Sequence, residues 1–198
     1  ADKPIVAQKL LFPDRRGHAS CSTWSHDGAI LAVACGLSVD LFQVSLGMLH
    51  QAALLSVPFQ VKALAVSKAV TGHYLVAVGG AAGVLLYSTT SDLAEDRCQR
   101  LLRLTKTPLH ANYLIVAVRF CPAGALLAAA SQTGQLGVWH CKGNQDEWTL
   151  TAYDELEMDR VTSMDFSWDS ALLAVCGWGG HTVVYRLEMD CQGLCLRQ

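Results

Sequence analysis

One phrase returns three times along the chain, as "WSHDGAILAVACG" from Trp24, "FCPAGALLAAAS" from Phe120 and "FSWDSALLAVCG" from Phe166. Each copy sets an aromatic residue before a short run of turn-forming residues, then Ala-[Ile/Leu]-Leu-Ala leading into small side chains. Self-similarity at a long period marks a repeat architecture, in which each unit buries its apolar face only against its neighbours.

Aligned on this phrase, the 198 residues hold four units opening near Ser20, Val61, Val116 and Val161. They close on Phe42, Tyr87, Trp139 and Tyr185, at separations of 45, 52 and 46 residues. Each unit reads as three short strands. The first alternates, as in Val161, Ser163, Asp165 against Thr162, Met164, Phe166; the second is a small apolar run; the third ends in the aromatic after a turn former. Ala, Gly and Cys have poor strand propensity, so their place in the second strand predicts tight packing between sheets. Further outer strands are expected at "HQAALLSV" from His50, "DEWTLTAY" from Asp146 and "QGLCLRQ" at the end. The longer link "SDLAEDRCQRLLRLTKTP" has Ser91 as an N-cap, acidic residues early and basic residues late, which predicts a partly helical insertion ended by Pro108.

These residues make the chain resemble a WD40-repeat β-propeller over essentially its whole length. The resemblance is carried by Trp24, Ser25, Asp27 and Gly28 in the first turn, by Leu126, Leu127, Ala128 and Leu172, Leu173, Ala174 in second strands, and by Thr133, Gly134, Leu136, Val138 and Trp139. Gly17-His18 resembles the family's Gly-His pair, and His110 lies near where that histidine falls in unit three. No Trp-Asp dipeptide closes a unit, and Thr133 and Gly179 stand where the family has a turn Asp. The resemblance therefore implies an all-β, WD40-like propeller whose stability rests on packing more than on the family's His/Ser/Asp/Trp network.

The domain expectation is a single propeller region over 1–198, with a leading strand at 4–12 and blades at 19–55, 60–104, 115–152 and 161–197. Four units fill a little over half of a ring of about seven blades. A leading strand that belongs to the far-end blade has no place in a closed four-bladed ring. The expectation is an incomplete propeller, either a fragment or a subunit completed by another chain.

Composition bounds the chemistry. A hydrophobic fraction of 52% with 16% charged residues argues for a packed core, and a net charge of -2 gives no footprint for nucleic acid or an anionic membrane. The most apolar run, Tyr74 to Tyr87, is 14 residues with glycines inside and reads as a hairpin, so no membrane span is expected. No signal peptide is evident in "ADKPIVAQKLLFPDRR". The eight cysteines lack a CxxC pair and sit in apolar runs, which predicts reduced, buried thiols in an intracellular setting, cytoplasmic or nuclear.

No catalytic, cofactor or metal residue is assigned. Ser25-His26-Asp27 is a run of turn residues, and a triad needs members brought from separate elements. Gly79 to Gly83 leads into a strand, whereas a phosphate cradle leads into a helix. Cys121, His140 and Cys141 lack the paired spacing of a zinc cage. The candidate interaction residues are Trp148, Trp168 and Trp178, together with the basic row Arg97, Arg100, Arg103 and Lys106, whose spacing of three would share one side of a helix. Asp154, Glu155, Glu157 and Asp159 form an acidic set expected in a loop before blade four. The function expected is a non-catalytic protein–protein interaction scaffold in a multi-subunit intracellular complex, with one partner completing the propeller. The alternative is a peptide- or RNA-binding reader using the propeller face or central channel.

Overall fold

The computed structural model describes residues 18–69, 72–81, 83–89, 99–103, 114–142, 147–158, 160–190 and 193–197. Among them are four antiparallel sheets of four strands, each paired in chain order. The first holds β1 (Ala19–Trp24), β2 (Ile30–Cys35), β3 (Ser38–Ser45) and β4 (Met48–Ser56); the second β5 (Val61–Lys68), β6 (Tyr74–Gly80), β7 (Gly83–Ser88) and β8 (Gln99–Arg103). The third holds β9 (Ile115–Phe120), β10 (Leu126–Ser131), β11 (Gln135–Lys142) and β12 (Glu147–Glu155); the fourth β13 (Val161–Phe166), β14 (Leu172–Gly177), β15 (Thr182–Asp190) and β16 (Gly193–Arg197). Each sheet meets the next through its first strand, β1 against β5, β5 against β9 and β9 against β13. The sheets are therefore blades radiating from an inner row of first strands.

The repeated phrase builds the turn between first and second strands. Ser25 Oγ accepts the Ile30 amide at 2.9 Å and donates to Asp27 Oδ1 at 2.6 Å, while the Ala29 amide also donates to Asp27 at 3.1 Å. Blade four repeats the arrangement, with Ser167 accepting from Leu172 at 2.8 Å and donating to Asp169. In blade three Cys121 Sγ takes the serine's place and accepts from Leu126 at 3.2 Å. The Ser-His-Asp run is a turn motif, held by backbone geometry that Gly28 supplies at φ 68.

The core lies between blades. Ile30, Ala32, Ala34, Val39 and Leu41 of the first sheet pack on Leu64, Val66, Val76, Val78 and Tyr87 of the second. The second sheet's Leu75, Ala77, Val84 and Leu86 pack in turn on Val118, Phe120, Leu127 and Trp139 of the third. The third sheet's Leu126, Ala128, Ala130, Leu136 and Val138 pack on Met164, Phe166, Leu173, Val175 and Tyr185 of the fourth. Each small-residue face receives a bulky one, and that fit outweighs the poor strand propensity of alanine.

Two expectations are corrected. Residues 99–103 form a strand paired with β7, where the sequence predicts helix. Pairing covers the backbone donors and acceptors along the edge of β7, which a surface helix would leave open. Asp154 and Glu155 close β12 rather than sitting in a loop. The leading strand expected at 4–12 lies outside the described residues.

Candidate interaction surfaces

Strand order divides the loops between two rims. One rim carries the turns from second to third strand and the links from fourth to first; the other carries the turns from first to second and from third to fourth. Trp178 and Trp168 fall on opposite rims, so the structure does not bring them into one site.

Trp178 opens the short turn Trp178–Gly180 between β14 and β15 and is 65% exposed. Gly179 and Gly180, at φ 83 and 81, bend the chain there. The indole is fixed from one side. The Arg160 guanidinium lies 5.7 Å from its ring centroid, and the Trp178 amide donates to the Arg160 carbonyl at 2.8 Å. With the Gln132 amide oriented to complement it, the Gln132 oxygen accepts from Arg160 Nη2 and Nε at 3.1 Å each. Arg160 thus bridges blade three's turn to the tryptophan of blade four. Sequence reasoning passed over Arg160 because nothing local marks it; its role depends on two turns from different blades. Leu37, exposed in the corresponding turn of blade one, extends the apolar character of this rim.

Trp168 is 84% exposed in the turn between β13 and β14. That turn is stiffened by Asp169, whose carboxyl the Ser167 hydroxyl and then the Ala171 amide hold below the usual carboxylate range. Leu46 stands fully exposed on the same rim, between β3 and β4.

Trp148 differs from both. It is 6% exposed within β12, in the core between the second and third blades, and meets Phe120 edge-on with centroids 5.8 Å apart. It is a packing residue: β12 pairs Trp148 with Cys141, and its ring meets Phe120 of the same blade within the core cluster shared with the second blade. Of the basic row, Arg100 and Arg103 belong to β8, and Arg97 and Lys106 lie outside the described residues. A spacing of three defines a common face on a helix and not on a strand, whose period is two.

The acidic set is partly engaged in structure. Asp154 Oδ2 accepts from the Tyr185 hydroxyl at 2.6 Å and Glu155 Oε1 from the Tyr153 hydroxyl at 2.7 Å, while Asp159 lies outside the described residues. Of the described cysteines Cys21, Cys35, Cys121, Cys141, Cys176 and Cys195, only Cys35 and Cys121 are fully buried. Half-burial of the other four corrects the expectation of buried thiols: two of them, Cys176 and Cys195, lie on the last sheet, which no further sheet covers among the described residues. Burial pushes the Cys21 thiol up. Among the described residues no group of three or more His, Cys, Asp and Glu could hold a metal ion, and no helix is long and apolar enough to cross a membrane.

Residues 148–186 match the family model of the WD domain, G-beta repeat. The match runs from the outer strand of blade three through the third strand of blade four. No curated protein matches the sequence. Among solved structures, a β-propeller-like protein from Lactobacillus plantarum is similar in fold, with a TM-score of 0.70 at 17% identity. The likeness covers 92% of this chain and 55% of that one, so the chain spans about half the length of the structure it matches. Residues 148–186 are thus similar to a WD40 repeat, and the described sheets have the fold of a β-propeller array.

Proposed function

From a WD40 repeat set in such an array, we propose that the chain is a non-catalytic protein–protein interaction scaffold within a multi-subunit intracellular complex. WD40 repeats generally mediate protein–protein interaction, and fold alone does not give function, so the reading must rest on a surface. The observation that carries it is the pair of exposed tryptophans, Trp168 and Trp178, each held in a stiff turn on a different rim. A large aromatic side chain fixed in water loses little conformational freedom on binding and gains much apolar burial, which is why tryptophan dominates interface hot spots. Two rims give two contacts, as a scaffold needs.

The test is to exchange Trp168→Ala and Trp178→Ala separately in the protein isolated from its source and to quantify co-purifying subunits by mass spectrometry. Each variant should lose at least one subunit about ten-fold, the factor that about 1.4 kcal/mol of interface energy supplies, without a change in melting temperature. A full complement in both variants would sink this reading. Co-purifying RNA lost with either variant would favour the nucleic-acid reader instead.

A further inference from the structure

The Arg160 guanidinium is fixed in place without being neutralised. The Gln132 oxygen accepts from its Nη2 and Nε at 3.1 Å each, and the group lies 5.7 Å from the Trp178 ring centroid. Those contacts leave the N–H groups of Nη1 and the second N–H of Nη2 open. Among the described residues ion pairs join Lys68 to Asp27 and Arg197 to Glu188, and none reaches Arg160. Asp154 and Glu155, shortly before it in the chain, accept from Tyr185 and Tyr153 instead. The fold does not call for a cation here. The Trp178 amide donates to the Arg160 carbonyl at 2.8 Å, and in blade three the same bond runs from the Gln132 amide to the Leu114 carbonyl at 2.8 Å, which makes Leu114 the equivalent of Arg160. Blade three is built with a leucine at this place; blade four carries there an exposed charge, held rigid beside an exposed indole.

We propose that Arg160 and Trp178 form a binding site for a carboxylate on a peptide segment of a partner protein, the carboxylate pairing with Nη1 and Nη2 and an adjacent apolar side chain resting on the indole. This rests on the reading of Trp178 as a partner contact and names what that partner brings. A guanidinium presents parallel N–H groups that fit a planar carboxylate in bidentate fashion. Because Gln132 and the indole already restrict the arginine, little of its conformational freedom is lost when the carboxylate arrives. A single cation matches a single negative charge. A phosphate or a nucleic-acid backbone would need further cations, and the same link carries exposed Glu157 instead, in a chain of net charge -2. A peptide fits better than a small free carboxylate. A Cβ on Gly180 would meet nothing within 4 Å, so the turn is open, and only a ligand with an apolar neighbour to its carboxylate covers the indole as well.

The test uses the protein isolated from its source with its co-purifying subunits, quantified by mass spectrometry. Arg160→Gln should lose the same subunit as Trp178→Ala, by about ten-fold or more, with the melting temperature unchanged because Arg160 is exposed. In a separate Arg160→Lys variant, carbodiimide should couple the amine at position 160 to a carboxylate of that subunit with an apolar residue beside it. Lys68, whose ammonium lies 3.5 Å from Asp27, is the internal control, since coupling there shows that the reagent has acted. With that control positive, no coupling at position 160, or coupling only to a carboxylate of this chain, overturns the carboxylate site. If Trp178→Ala still loses its subunit in that case, the tryptophan contact stands and the carboxylate site alone has failed. A full complement of subunits in the Trp178→Ala variant overturns both.

Discussion

The Tyr185 hydroxyl donates to Asp154 Oδ2 at 2.6 Å, tying the third strand of blade four to the end of the fourth strand of blade three. Tyr87, the equivalent closing aromatic of blade two, donates to the Ser56 carbonyl of blade one at 3.3 Å. The blades are thus joined at the same place by the same residue type, but with unequal bonds. A short bond to a carboxylate is stronger than a longer one to a neutral carbonyl, so Tyr185→Phe should cost about 1–2 kcal/mol and Tyr87→Phe under about 1 kcal/mol. Urea unfolding of the two variants checks the order; equal losses would mean that the hydroxyls contribute nothing specific.

The turn of blade one predicts how stability depends on pH. Burial would push the Asp27 carboxyl up, but hydrogen bonds from Ser25, the Ala29 amide and Tyr74, with the Lys68 ammonium at 3.5 Å, outweigh it and hold the group below the usual range. A folded-state value below the unfolded one gives stability that is complete above about pH 4–5 and is lost as pH falls through the folded value. Asp27→Asn should therefore be less stable than the parent at neutral pH, and the gap should close on acidification.

Tyr74 gives the opposite sign at alkaline pH. Burial, and then the bond and charge of Asp27 at 2.8 Å, push its phenol up to about 12. A raised folded-state value means stability that is complete below the ordinary tyrosine range of about 10 and is lost as pH rises from there towards the folded value. Tyr74→Phe should flatten that alkaline loss, and ultraviolet titration should show the latest tyrosinate missing. Superimposable alkaline profiles would refute the coupling.

The blades were legible because the phrase around Trp24, Phe120 and Phe166 encodes a turn and a second strand together, and both are local. What was not legible depended on distant partners. Trp148 lies in the outer strand expected from Asp146, but its burial was not legible: strand pairing with Cys141 turns it onto Phe120 and into the core. The arginines of 97–103 are spaced as on a helix, but the open edge of β7 recruits residues 99–103 as a strand. The exposure of Leu172 and Val184 in blade four fits the expectation of an incomplete ring: both are as apolar as their covered equivalents, and no described sheet lies over them.

The contrast between tryptophans is itself measurable. Trp148→Ala should cost about 3–5 kcal/mol, as for a large aromatic removed from a core, whereas Trp168→Ala should stay within about 0.5 kcal/mol. Thermal unfolding of both variants separates a packing residue from a surface one. A large loss for Trp168→Ala would mean that it is buried in the intact protein.

The second and third blades meet closely at Gly79, and the fit predicts an effect from adding a single carbon. Gly79→Ala would place its Cβ 2.7 Å from Ile115 Cγ2 and 2.8 Å from Val118 Cγ2, where both side chains are fully buried and β-branched, with little rotamer freedom to retreat. Overpacking of this kind costs about 1–3 kcal/mol. The glycine has no positive-φ requirement here, so the cost is packing and not backbone strain. Val118→Ala removes one of the two opposing methyl groups, and in that background Gly79→Ala should cost less by at least about 0.5 kcal/mol, the scale of coupling between touching residues. Strict additivity in the double-mutant cycle would mean that the second and third blades do not meet at this point. The predicted coupling would show that small residues in the second strands are there to admit the neighbouring blade.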